Sequence, residues 1–201
     1  MSNKRKKLDP RVVRTRQMLR NALIELIGEK GYDSISVQDI TQRATLNRAT
    51  FYLHYRDKED LLNQSIKDIL TELVKGMKKS RLIDENITDS NGNVIRPLSD
   101  LVYVFEHVAQ HEQFYKVMLG NKGQQRFLFR LLDVFVDVLN ERLTHSMSND
   151  IRPAIPKEIL IQYAASAYLG VIAWWLRNDL PYTPEYMATQ LTRLRVQHIQ
   201  T

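Results

Sequence analysis

Residues 44–61 read A-T-L-N-R-A-T-F-Y-L-H-Y-R-D-K-E-D-L, and the fold follows from them. Asn47 is a helix start, because its side-chain oxygen can take an orphan N–H of the first turn. Arg48, Ala49 and Thr50 occupy that turn. Phe51 and Tyr55 lie one turn apart and face inward. Asp57 is a second start signal, with Lys58, Glu59 and Asp60 behind it. A short capped helix with small and polar groups outward and aromatic anchors inward is what reading the DNA major groove requires.

The flanking segments extend the pattern. Asp9-Pro10 opens a helix with an N-cap acid and a proline at the first helical position. Leu19, Ala22, Leu23, Leu26 and Ile27 give it one buried face, and Gly31 ends it. Ser36 with Asp39 three residues later is a short capping box, and Val37, Ile40 and Ala44 form the inner face of that second helix. After Asp57 a long helix carries the stripe Leu61, Leu62, Ile66, Ile69, Leu70, Leu73 and Met77, with Lys75, Lys78, Lys79 and Arg81 suiting its C-terminal end. Residues 84–97, with Asn91-Gly92 and Pro97, read as an exposed loop. Helices are expected over 98–111, 112–119, 123–146 (stripe Phe127, Leu131, Leu132, Phe135, Val138, Leu139, Arg142), 157–179 and about 183–197. The stretch 148–156, with two prolines, breaks the chain between the third and fourth of these. No segment alternates at period two, so the expected fold is all-α with about nine helices.

Composition narrows the function. The chain has 201 residues, 43% hydrophobic, with 7 Gly and 6 Pro, enough core for long regular elements. The absence of Cys excludes disulfides, thiolate metal sites and a cysteine nucleophile. No apolar run approaches the roughly 20 residues that span a bilayer, and the basic N-terminus lacks the apolar stretch of a secretory signal. The net charge of +6 is concentrated at one end: residues 1–20 hold eight Lys or Arg against Asp9 alone. Beside a helix-turn-helix pattern this is the footprint of a phosphate-backbone partner; by itself it also fits a solvated tail. No G-x-S-x-G, Walker-type loop or Gly-rich nucleotide fingerprint occurs, so no enzyme activity and no cofactor are expected.

Residues 10–65 resemble the DNA-binding domain of the TetR/AcrR family. Its pattern, A-G-V-S-x-x-T-[FL]-Y-x-[HY]-F-x-[SN]-K-[ED]-x-L, is matched through Ala44, Leu46, Thr50, Phe51, Tyr52, His54, Lys58, Glu59 and Leu61. Gly31-Tyr32 ahead of Ser36-Val37 and Ile40 fits its upstream spacing. Thr45 departs from the family's glycine, where a β-branched residue at positive φ is strained; Asn47 replaces serine and keeps a capping oxygen. The stretch F-E-H-V-A-Q-H-E-Q-F-Y-K-V-M-L-G, 105–120, resembles the C-terminal domain of a subgroup named for a dihydroxyacetone kinase regulator. The resemblance implies a bacterial, cytoplasmic, homodimeric regulator, a repressor bound to a palindromic operator and released by a small molecule. The alternative is the same fold with no small-molecule ligand, governed by a protein partner or constitutive. The implied division is a basic arm, 1–9; a helix-turn-helix domain, 10–56; a connecting helix, 57–80; and a C-terminal dimerisation and ligand domain, 81–201.

Arg48, Ala49, Thr50 and Leu53 are then the groove-facing residues. Arg48 suits guanine, and Ala49 or the Thr50 methyl suits a thymine methyl. Tyr52, His54 and Lys58 match family positions that touch phosphates; Gln38 and Thr41 reach the backbone or a base; Arg11 and Arg14 form an arm along the minor groove or a phosphate. Ala164, Ala167 and Gly170 lie near one stripe of an apolar helix, which reads as the dimer face completed by 183–197, or as an ordinary core helix. Tyr103, His107, Phe114, Met118, Tyr163 and Trp174 are candidates for the wall of a pocket for an apolar or aromatic effector, against plain core packing. His107 and His111 have a spacing able to bind a metal, yet no third ligand is evident and no H-E-x-x-H occurs, so no metal is expected.

Overall fold

The structure is a computed structural model and describes residues 9–81, 99–120, 125–146 and 155–199. Among these it is all-α: α1 Pro10–Lys30, α2 Val37–Arg43, α3 Arg48–Tyr52, α4 Lys58–Arg81, α5 Ser99–Gln110, α6 Glu112–Leu119, α7 Gln125–Ser146, α8 Lys157–Arg177 and α9 Pro184–Ile199. The expected loop 84–97, most of the break at 148–156 and the basic residues before Leu8 lie outside the described residues. The chain divides into two compact units, one ending at Asp68 and the other beginning at Ile69, so α4 starts in the first and ends in the second.

In the first unit the caps form as local chemistry dictates. The Asp9 carboxylate accepts the Arg11 N–H at 2.8 Å with Pro10 at the first helical position. Ser36 and Asp39 close a reciprocal capping box. Asn47 Oδ1 accepts the Thr50 N–H at 2.7 Å, and Asp57 Oδ1 the Asp60 N–H at 2.7 Å. Gly31 ends α1 at φ 77°, ψ 156°, a region essentially open to glycine alone. Leu19, Leu23, Ile27, Ile40, Phe51 and Leu61 are fully buried. Arg43 ties the end of α2 to α1 through paired bonds to Glu29 at 2.8 and 2.7 Å and one to Glu25 at 3.2 Å.

In the second unit α5 packs on α9, α7 on α8, and α6 on both α7 and α8. Trp175, Phe105, Tyr115 and Phe127 centre the core. Phe105 meets Trp175 edge-on at 5.1 Å, and the Trp175 indole donates to the Tyr182 carbonyl at 2.9 Å. Arg142, expected on the α7 stripe, pairs with the buried Asp100 at 2.6 Å. Gly76 makes room for a neighbour: a Cβ there would sit 1.8 Å from Tyr103 Cζ.

One expectation needs correction. α8 is long and apolar enough to cross a membrane by length and composition, because its charges fall at its two ends. Only a third of its most apolar stretch is buried. Ile159, Tyr163 and Trp174 stand 60%, 62% and 44% exposed along it, with Ala167 and Gly170 also at the surface between them.

Candidate nucleic-acid interface

The site is built outward from two buried aromatics. Phe51 is fully buried and Tyr55 nearly so, their rings 5.9 Å apart, and Tyr52 packs edge-on against Phe51 at 5.5 Å while itself 52% exposed. With Phe51 fixed inward, helical geometry turns its neighbours outward. Arg48 and Ala49 are exposed and Leu53 is 81% exposed. Thr50 is half-buried, and its N–H and hydroxyl both go to Asn47 Oδ1, at 2.7 and 3.0 Å. The hydroxyl is thereby committed to the cap and the methyl remains. Gln38 is exposed on α2.

The turn before this helix is held by two backbone bonds, Thr45 N–H to Gln42 O at 3.1 Å and Leu46 N–H to Thr41 O at 2.9 Å. Together they form the Schellman arrangement, whose C′ residue must be left-handed. Thr45 occupies it at φ 55°. The turn therefore keeps the left-handed geometry that suits glycine, and Thr45 carries the strain.

Three expected contacts are placed otherwise. Thr41 is 2% exposed and its hydroxyl donates to the Gln38 carbonyl at 3.0 Å, so it packs inside rather than facing a groove. The Lys58 ammonium donates to the carbonyls of Tyr32, Asp33 and Ile35 at 3.1, 3.3 and 2.8 Å, and lies 4.6 Å over the Tyr32 ring. An ammonium has three protons, so Lys58 is saturated by the turn after α1. Arg11 and Arg14 are exposed but belong to α1, not to a flexible arm. His54 is half-buried, and its imidazole is held below its ordinary pKa by burial and then by the Arg16 charge. The Arg16 guanidinium lies 6.0 Å from the Tyr55 ring centroid, with its Nε buried and unpartnered.

The proposed pocket residues separate. Tyr103 is half-buried, and His107, Phe114 and Met118 are buried on α5 and α6, whereas Tyr163 and Trp174 are on the exposed side of α8. Phe114 packs edge-on against Phe127 at 5.4 Å as ordinary core. What does come together is Glu72 of α4 with His107 and His111: one ligand atom from each lies within 4.8 Å of the others. The sequence hid Glu72, which sits on another helix with no spacing to mark it.

Known proteins place this geometry. Residues 19–64 match the family described as bacterial regulatory proteins, tetR family, and residues 96–197 match a transcriptional regulator C-terminal region. An uncharacterized HTH-type transcriptional regulator of Bacillus subtilis, YxbF, is 43% identical over 72 residues, 35% of this chain and only 19% of that relative's length. The HTH-type dhaKLM operon transcriptional activator DhaS of Lactococcus lactis is 22% identical over 162 residues, 78% of this chain and 76% of DhaS. A solved structure of a dihydroxyacetone kinase operon activator DhaS is similar at TM-score 0.63 and 19% identity, covering 92% of this chain and 96% of that one. The regulator FadR from Bacillus subtilis, solved in complex with stearoyl-CoA, is similar at TM-score 0.62 and 19% identity, covering 89% and 96%. The DhaS likeness agrees with the resemblance of residues 105–120 to its subgroup.

Proposed function

Since the chain belongs to the tetR family of bacterial regulatory proteins, DNA-binding transcriptional regulators and not enzymes, we propose that it is a homodimeric cytoplasmic repressor. On this reading it leaves a palindromic operator when a small apolar effector binds. The observation that carries the DNA reading is the outward array Arg48, Ala49, Tyr52 and Leu53 on a helix anchored by buried Phe51. Arg48 reads guanine through O6 and N7, and Ala49 with the Thr50 methyl meets a thymine methyl. Tyr52, His54 and Gln38 fix the register on phosphates. The dimer reading rests on the uncovered apolar face of α8, whose small central residues Ala167 and Gly170 admit a second helix closely.

The effector must favour one spacing of the two recognition helices, since equal affinity for both states shifts nothing. The structural relative solved with stearoyl-CoA supports an effector with a long apolar portion. One observation favours a second reading, the same fold without a small-molecule ligand: Tyr163 and Trp174 face outward, away from a shared wall with Phe114 and Met118.

Selection of bound DNA from a random pool tests the DNA reading and should enrich an inverted repeat. Arg48→Ala should then lose about 1–3 kcal/mol and relax specificity at one base pair per half-site. Equal binding of the selected site by Arg48→Ala and the parent would remove Arg48 as the base reader. A reporter assay fixes the sign of regulation, for which the activator DhaS is the counter-example.

A further inference from the structure

We propose that Glu72, His107 and His111 form a binding site for one divalent first-row transition-metal ion of the zinc type, a property separate from the DNA reading. The three ligand atoms lie within 4.8 Å of one another. His111 Nε2 and Glu72 Oε1 are already 3.5 Å apart. Metal–ligand bonds of about 2.1 Å put the ligands of a tetrahedral ion about 3.4 Å from each other, so that pair needs no movement, and the set of three has only to close from within 4.8 Å. Two borderline imidazole nitrogens beside one carboxylate oxygen suit zinc, cobalt or nickel over magnesium or calcium.

A second, independent observation points to a ligand. His107 is 1% exposed and its Nε2 has no hydrogen-bond partner. Its Nδ1 faces the hydroxyl of the fully buried Tyr115 at 3.2 Å. If Nδ1–H donates to Tyr115, Nε2 is left with a bare lone pair, as a ligating histidine held by an outer partner requires. The Tyr103 ring lies 5.8 Å from His107, against Gly76, and its hydroxyl donates to the Glu72 carbonyl at 3.4 Å. The site thus has one buried wall and, through the exposed Glu72, one side open to solvent for a fourth ligand.

Zinc titration of chelator-treated full-length protein tests the proposal, with cobalt absorption as the readout of coordination. The wild type should bind one zinc per chain and give the intense cobalt bands of a four- or five-coordinate site. Glu72→Gln, at an exposed position that leaves folding intact, and His111→Ala, at a partly covered one, should each weaken zinc at least tenfold and lose the bands, while His54→Ala changes neither. Absence of stoichiometric zinc binding by the wild type overturns the proposal. So does unchanged affinity in both variants, which would put the metal elsewhere.

Discussion

Thr45 and Lys58 carry testable energies at the scale of single residues. Thr45 holds a β-branched side chain at φ 55° in an exposed turn. A non-glycine residue there costs about 1–2 kcal/mol, while glycine adds about 0.4–1 kcal/mol of chain entropy to the unfolded state. The strain is the larger, so Thr45→Gly should stabilise the protein by about 0.5–1 kcal/mol, read as a higher denaturant midpoint at unchanged slope. An unchanged or lower midpoint would mean that the turn relaxes around threonine. Lys58 is the reverse case: its charge satisfies three carbonyls 23 to 26 residues earlier in the chain. Lys58→Met keeps much of the stem over Tyr32 and removes the donors, and should cost about 1.5–3 kcal/mol of stability. Full stability together with a weaker salt dependence of DNA binding would instead return Lys58 to the phosphates. The sequence pattern marked both positions but assigned only the first its physics. A left-handed turn residue is a local matter, whereas the partners of Lys58 are brought to it only by the fold.

At the scale of elements the same boundary holds between local and tertiary chemistry. The starts of α1 to α4 were legible because Asp9, Ser36, Asn47 and Asp57 each satisfy an N–H two or three residues away. The α4 stripe from Leu61 to Met77 was legible because every member is buried at helical spacing. Glu72, Gly76 beneath Tyr103 and the Arg142–Asp100 pair needed two helices to meet, and no period announces that. The α2 cap gives a pH prediction. Asp39 is held at about 2, first by the Ser36 hydroxyl, then by the Ser36 N–H and by Lys30 at 3.2 Å. Its folded pKa is lowered, so its contribution is complete above about pH 4 and fades as pH falls toward 2. Ser36→Ala removes the leading cause. It should cost about 1 kcal/mol near neutrality, and the difference from wild type should shrink in unfolding curves taken between pH 4 and pH 2. A difference that stays constant across that window would separate the cap from the carboxylate.

At the scale of the whole molecule the deciding surface is α8. Its apolar sequence allowed two readings, core helix or dimer face, because periodicity cannot say which side a neighbour leaves uncovered. The fold leaves Ile159, Tyr163, Ala167, Gly170 and Trp174 outward, and Trp174, Tyr182 and Tyr186 continue as stacked rings 6.4 and 4.8 Å apart. Contiguous apolar surface of this kind is uncommon on a monomer. Gly170 separates the readings by sign. Nothing lies within 4 Å of a Cβ built there, and its backbone is ordinary helix, so a side chain meets no obstacle inside one chain. If the face is solvated, Gly170→Arg should stabilise the protein by about 0.8–1 kcal/mol, the helix preference of arginine over glycine. If a second copy covers it, the same change places a charge and a long side chain where two helices must approach, and the dimer should fall apart. Sedimentation should then give a monomer for the variant and a dimer for the wild type, whose melting temperature should rise with protein concentration. The variant should also bind one half-site of the selected DNA but lose its preference for the full repeat. A monomeric wild type, or a Gly170→Arg protein that remains dimeric and grips the full repeat as before, would move the dimer contact off this face.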